Sequence, residues 1–214
     1  MTQTRACLVD VYETLICYDF EAHSAALAAA AGVALADWQR AQLEAVDHLD
    51  RGRLSMTETI AWILRNCGIE PAPELIGDLV RADRDLMAGG CRAYDDAVPF
   101  LRDARSRGLK IALVSNCGDE TRPRLNRLGL APLADELVLS CEVGAAKPDA
   151  EIYRRALDAL GVRAADAVMI DDQAGYCAGA EAAGVRAVQV TRNGQPPDPR
   201  FTSVSTLADV PALL

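Results

Sequence analysis

The chain has 214 residues, half of them hydrophobic, so it can bury the core of one domain or of one domain with a modest insertion. Its net charge of −9 argues against nucleic acid as the main partner, because phosphate contacts need a basic face. No apolar run approaches the roughly 18 residues of a membrane span, and residues 1–5 leave no room for a signal peptide before the first strand. We therefore expect a cytoplasmic protein that binds neither nucleic acid nor membranes.

The first predicted element is a short apolar run at residues 6–9, which indicates a buried parallel strand. It ends at Asp10. In open α/β sheets ligands bind at the carboxyl ends of the strands, so this pattern predicts that Asp10 lies where chemistry takes place.

An almost wholly helical segment follows. Helices are predicted at 20–31, at 38–49, from a Ser-x-x-Glu capping box at Ser55 to about residue 67, and at 73–87, each followed by glycine. Four helices with no strand between them predict a separate unit inserted at 17–91. The remaining residues, 1–16 and 92–214, would form the core domain.

From residue 95 onward, helices and strands alternate. Helices are predicted at 95–106, 120–128, 149–160 and 175–183, and strands at 110–115, 136–140, 167–171 and 185–190. This rhythm predicts right-handed crossovers, and thus an α/β fold with a doubly wound parallel sheet and helices on both faces. The proline-rich stretch at 196–199 predicts a loop that leads to a short terminal helix.

The seven cysteines are scattered, and none forms a Cys-x-x-Cys pair, which argues against zinc and redox motifs. Most are expected to pack as small hydrophobic residues. Cys117, directly after a candidate site residue, is the one candidate for a reactive thiol.

Four predicted strand ends or loops carry polar side chains that would converge. They are Asp10 with Thr14, Ser115 with Asn116, Lys147 before a helix, and Asp171 with Asp172. This set and its order resemble the haloacid dehalogenase superfamily. The resemblance covers the whole core and the position of the helical insertion, which in that family is a cap domain on a Rossmann-like core.

The resemblance implies a role for each of these residues. Asp10 would be a covalent nucleophile. Ser115, the backbone N–H of Asn116 and Thr14 would bind substrate, and Lys147 would neutralise the charge shared by nucleophile and substrate. The implied Mg²⁺ ligands are Asp10, the backbone carbonyl of Tyr12 and Asp172, with Asp171 supporting them.

The first and the last of these motifs each depart from one branch of the family. Phosphatases of this superfamily carry a general-acid Asp where this chain has Tyr12, and a phenol with a pKa near 10 is a poor substitute. Glu13 should point elsewhere. Tyrosine is typical of the 2-haloacid dehalogenases, which use no metal, but these carry hydroxyl residues, Asn and a water-handling Asp where this chain has Asp171-Asp172, Gln173 and Tyr176.

The extra carboxylates would repel one another and a haloacid unless a cation lay among them. We therefore expect a hydrolase with Asp10 as nucleophile and a Mg²⁺ site, acting on a phosphorylated small molecule. The alternatives are a 2-haloacid dehalogenase-type hydrolase and a non-catalytic binding protein with the same fold. Tyr18, His23 and Arg51 are candidates for cap residues that face the substrate, and the sequence does not predict an oligomeric state.

Overall fold

A computed structural model describes residues 4–214. Residues 1–3, which belong to the predicted core domain and to the segment expected to hold no signal peptide, lie outside the described residues. The strands are β1 (Ala6–Val9), β2 (Ile16–Cys17), β3 (Arg92–Ala93), β4 (Lys110–Ser115), β5 (Glu136–Leu139), β6 (Ala167–Asp171), β7 (Arg186–Val190) and β8 (Thr202–Val204).

The α-helices are α1 (Phe20–Ala31), α2 (Leu35–Asp50), α3 (Met56–Asn66), α4 (Pro73–Gly90), α5 (Ala97–Ser106), α6 (Thr121–Arg127), α7 (Ser140–Val143), α8 (Ala150–Leu160) and α9 (Ala174–Ala182). Single turns or short runs of 3₁₀-helix occupy Ala131–Leu133, Ala164–Asp166 and Leu207–Leu213. No helix within residues 4–214 is long and apolar enough to cross a membrane.

Six parallel strands form the main sheet in the order β5-β4-β1-β6-β7-β8. Hydrophobic clusters cover both faces, one involving α5 and the terminal 3₁₀-helix and the other α8 and α9. The predicted doubly wound α/β fold is thus confirmed. Val9 of the central strand β1 is in register with Leu113 of β4 and Ile170 of β6. Asp10, the next residue, therefore lies level with Asp171, which positions the site.

Helices α1–α4 pack around a hydrophobic cluster of their own, which includes Trp38, Ile60, Leu64 and Leu79. The capping box predicted at Ser55 is present, with Glu58 as its partner. Strand β2 precedes these helices in the chain and β3 follows them, and the two strands pair antiparallel. The chain therefore leaves the core and returns to it at adjacent points. We call α1–α4 the helical insertion. The division of the chain into two domains at residues 17 and 91 stays a prediction.

The shortest elements were not predicted from the sequence. Strands β2, β3 and β8 have only two or three residues, too few for a hydrophobic period, and backbone pairing with a neighbouring strand holds them in place. The tail predicted as a loop thus contains an edge strand. Helix α7 was also missed, α2 begins three residues before its predicted start, and α4 continues through the two glycines predicted to end it.

Candidate active site

Asp10, Lys147 and Asp171 form a buried ion cluster where β1 and β6 end. Nζ of Lys147 contacts Oδ1 of Asp10 and lies 2.7 Å from Oδ2 of Asp171. The lysine side chain is completely buried. Burial acts to lower the pKa of Lys147, but the two carboxylates outweigh it and raise that pKa above its usual range. Lys147 is therefore charged and holds Asp10 in place.

Asp172 adds a third carboxylate, and oxygens of Asp10, Asp171 and Asp172 lie within 4.8 Å of one another. Oδ2 of Asp10 is buried and has no hydrogen-bond partner among the described residues. Both oxygens of Asp171 are engaged, one by Lys147 and the other by the backbone N–H of Gln173. Asp10 and Asp172 therefore retain free oxygens for a cation, and within residues 4–214 no donor reaches the backbone carbonyl of Tyr12. Oxygen donors of this kind fit Mg²⁺.

The pKa values reflect how strongly these carboxylates interact. Burial, then Asp10 and Asp171, raise the pKa of Asp172 to about 8. Burial also raises the pKa of Asp171 to about 7, although Lys147 opposes the rise. A nearby positive charge would favour the ionised form of these carboxylates.

The Tyr12 hydroxyl is held by two side chains of α6. Its hydroxyl contacts Nη1 of Arg124 and lies 3.0 Å from Oγ1 of Thr121. Burial raises its pKa to about 12, so the phenol gives up its proton poorly. Glu13 accepts hydrogen bonds from the Tyr18 backbone N–H and the Tyr94 hydroxyl, and so does not replace the missing acid.

Of the predicted substrate-binding residues, Asn116 lines the cavity described below, whereas Ser115, Thr14 and Lys147 are buried. Ser115 is completely buried at the end of β4. The Asn116 side chain donates to the backbone carbonyl of Lys147 (2.8 Å) and accepts from its N–H (2.7 Å), so it holds the lysine loop. Thr14 is buried, its hydroxyl has no partner among the described residues, and it does not line the cavity described below. The substrate-binding roles of these residues stay predictions.

A cavity of about 380 Å³ lies between the sheet edge and the helical insertion. Asp10, Asp172, Gln173 and Tyr176 line its core side; Gln42, Val46, Leu49, Asp50 and Asp83 line the opposite side. Of the three cap residues suggested by sequence, His23 lines this cavity. Tyr18 lines a larger open groove beside it, and Arg51 pairs with Asp149 instead (2.7 Å).

Four charged residues of the cavity wall were missed from the sequence: Asp50, Asp83, Glu120 and Arg124. Two of them carried a signal. Asp83 lies on the buried stripe of α4 between Leu79 and Met87, and Arg124 lies on the buried face of α6 beside Leu125. A charge on an otherwise apolar helix stripe indicates either a buried ion pair or a binding site.

Cys117 lines the same cavity but does not have the character of a reactive thiol. A hydrogen bond with the Cys141 thiol and burial raise the pKa of Cys117 well above its ordinary value. A thiol that stays protonated is a poor nucleophile.

A family model for haloacid dehalogenase-like hydrolases matches residues 4–184. This chain belongs to that family. The hydrolase is 44% identical over 119 residues to a phosphoserine phosphatase of Thermus thermophilus and 38% identical over 135 residues to a phosphatase of Mycobacterium tuberculosis. These matches span 55% and 62% of this chain, but only 48% and 61% of the two relatives.

Two further relatives match the hydrolase over nearly its full length. The (S)-2-haloacid dehalogenase 4A of Burkholderia cepacia is 29% identical over 98% of this chain and 94% of its own. A crystal structure of a dehalogenase has a TM-score of 0.71 at 26% identity, covering 99% of this chain and 97% of its own. The relatives thus include both phosphatases and 2-haloacid dehalogenases, the two classes of hydrolase whose motifs this sequence combines.

Proposed function

We propose that this hydrolase is a Mg²⁺-dependent phosphohydrolase that acts on a phosphorylated small molecule with Asp10 as its nucleophile. One observation carries the proposal: Asp10, Asp171 and Asp172 form a buried cluster of carboxylates, with Oδ2 of Asp10 left without a partner among residues 4–214. Lys147 compensates only part of this negative charge. A divalent cation between Asp10 and Asp172 would compensate the rest.

In the proposed reaction an oxygen of Asp10 attacks phosphorus, and the leaving group departs with the electron pair of the broken bond. Water then hydrolyses the aspartyl phosphate and regenerates the carboxylate. Lys147 holds Asp10 in position, and Asp171 holds Lys147. When bound, Mg²⁺ supplies the positive charge that lets an anionic phosphoryl group approach a carboxylate. Ser115 and the Asn116 backbone N–H would hold a phosphoryl oxygen, and residues 17–91 would act as the cap.

Tyr12 restricts the choice of substrate. Because its phenol is a weak acid and is held by Arg124, leaving groups that need a proton should depart slowly. Acyl phosphates release a carboxylate, which needs no proton. We therefore expect acyl phosphates to be hydrolysed faster than alkyl phosphates.

The second candidate function is 2-haloacid dehalogenation. The nearly full-length match to a dehalogenase favours it, as does the tyrosine at position 12. Against it stand Asp171 and Asp172, whose negative charge would repel a haloacid carboxylate in a site without a metal.

Parallel assays separate the two functions. We expect Mg²⁺-dependent phosphate release from acetyl phosphate that is lost with a chelator and in Asp10→Asn, and no sustained chloride release from 2-chloropropionate. Chloride release that needs Asp10 but no metal would establish the dehalogenase instead. Neither product would indicate a binding protein that uses the same cleft.

A further inference from the structure

Arg124 is a buried cation without a counter-ion. It lies on α6 with 7% of its surface exposed and lines the same cavity as Asp10. Nη1 contacts the Tyr12 hydroxyl, whereas Nε is buried and has no hydrogen-bond partner among the described residues. Within residues 4–214, no carboxylate oxygen lies within 4.0 Å of its guanidinium.

Arg192 is a buried arginine of the same molecule that does have a counter-ion. Its side chain is 9% exposed, and its two terminal nitrogens donate to the two oxygens of Asp96 at 2.9 and 2.8 Å. Buried charges are costly unless they are paired in this way. Arg124 therefore differs from Arg192 in lacking the anion that would compensate its burial.

Within residues 4–214, no acidic residue that lines the cavity pairs with Arg124, and three of them have other basic neighbours. Nε2 of His23 lies 3.1 Å from Oδ1 of Asp83, Arg84 lies 2.8 Å from Glu120, and Lys147 contacts Asp10. Arg124 is also the only lysine or arginine among the described residues that line the cavity. Its charge is thus left for something that enters the cavity.

We propose that Arg124 is a specificity-determining residue that binds a carboxylate of the substrate, so that the substrate carries both a phosphoryl group and a carboxylate. The planar guanidinium presents several N–H donors and suits a carboxylate. The inference rests on the proposed function in one respect, because it takes the phosphoryl group to bind at Asp10. Nη1 of Arg124 contacts the hydroxyl at the far end of the Tyr12 side chain, and we take the carboxylate to be separated from phosphorus by more than one carbon atom.

Phosphonates test this without turnover, because their carbon–phosphorus bond replaces the bond that would be hydrolysed. Calorimetric titration with Mg²⁺ present would compare 3-phosphonopropionate with propylphosphonate, and 4-phosphonobutyrate with butylphosphonate. In each pair a carboxylate replaces a methyl group. We expect the carboxylate to tighten binding by about 10- to 100-fold in at least one pair, as hydrogen bonds to charged groups do.

Arg124→Met should abolish this preference, whereas Arg127→Met, the same change at an exposed position of the same helix, should preserve it. Because Met removes an unpaired buried charge, we also expect Arg124→Met to unfold at the same urea concentration as the wild type or a higher one. If it fails to fold, Arg124→Gln, which can still donate to the Tyr12 hydroxyl, replaces it in the same titrations.

Equal binding within both pairs, no binding of any phosphonate, or a preference that survives loss of Arg124 would each overturn the inference. A preference for the carboxylate that depends on Arg124, found without phosphate release, would refute the proposed reaction and support the role of Arg124. Phosphate release without this preference would support the proposed reaction and overturn the role of Arg124.

Discussion

For the proposed phosphohydrolase, Tyr12 stands where a general acid would be expected. The backbone at that position remains available to a cation, but the phenol, with its pKa raised by burial to about 12, does not supply a proton readily. In the proposed reaction we therefore expect Tyr12 to affect the leaving group rather than the metal site. This distinction leads to a gain-of-function test.

We expect Tyr12→Asp to increase turnover of alkyl phosphates by about 10- to 100-fold, the low end for general acid catalysis. The gain should be modest because Arg124, which now contacts the phenol, would favour the ionised form of the new carboxyl. Acetyl phosphate should gain little. Steady-state rates with Mg²⁺ measure both effects, after circular dichroism shows that the variant folds.

Tyr12→Asn is the matched control, because it has nearly the same shape but no proton to donate. If Asn and Asp raise the rate equally, the gain comes from space and not from acid catalysis.

Asp50 is a second residue whose surroundings set its chemistry. It lines the cavity, and burial, reinforced by Asp47, raises its pKa to about 6 even though Lys147 and Arg51 oppose the rise. Tyr176 and Cys117 also face it from the core. A carboxyl whose pKa is higher in the folded state stabilises the fold below its unfolded pKa, and that stability is lost as pH rises through the folded pKa.

We therefore expect Asp50→Asn to match the wild type in free energy of unfolding near pH 4 and to exceed it by about 1–3 kcal/mol above pH 6. Urea unfolding at several pH values measures the difference. Asp47→Asn should show the opposite sign, because a hydrogen bond from Arg51 holds the pKa of Asp47 below its ordinary value. A constant difference across pH for Asp50→Asn would refute this account.

At the scale of elements, the turn between α2 and α3 fits closely against α7 of the core. Gly52 in this turn has φ +63°, and a Cβ placed there would lie 2.1 Å from the backbone oxygen of Cys141. Gly68, after α3, has a similar φ of +75° but nothing within 4 Å. Comparing the two glycines therefore separates the energetic cost of backbone strain from that of a close contact.

We expect Gly68→Ala to cost about 1 kcal/mol of stability, the strain of a left-handed residue, and Gly52→Ala to cost at least about 1 kcal/mol more. Gly52→Ala should also reduce activity, since the insertion must shift away from the core. Urea unfolding and phosphate release measure the two effects. An equal loss of stability at both glycines would show that the α2–α3 turn can move away from Cys141 at little energetic cost.

At the scale of the whole molecule, Mg²⁺ binding should be linked to folding. Three carboxylates brought together only by the fold repel one another, so a cation that binds there stabilises the native state. We expect saturating Mg²⁺, at about 100-fold its Kd, to raise the Tm of the wild type by about 5–10 °C.

Asp172→Asn should remove this Mg²⁺ effect, yet it should be at least as stable as the wild type without Mg²⁺, because a repelling buried carboxylate is gone. Thermal unfolding followed by circular dichroism tests both statements. Sodium chloride at equal ionic strength is the control for general screening. An equal rise in Tm for both proteins with Mg²⁺ would place the cation elsewhere.

The sequence alone determined the order of the longer helices and strands between β1 and β7 and the parallel sheet, because hydrophobic periodicity is a local property, but it did not indicate β2, β3 or α7. It also indicated that Asp10, Ser115, Lys147, Asp171 and Asp172 lie near one another, since parallel strands bring their carboxyl ends to one edge. The capping box at Ser55 was equally local, and it formed as predicted.

Only the tertiary structure decided how these side chains are engaged. It showed that Asn116 holds the Lys147 loop, that Thr14 lies away from the cavity, and that Asp171 pairs with Lys147 while Asp10 and Asp172 keep free oxygens. It also brought Arg124 against Tyr12, 112 residues away, and left it without a counter-ion within the described residues. Which charges are paired depends on contacts between distant segments, and no local pattern in the sequence encodes them.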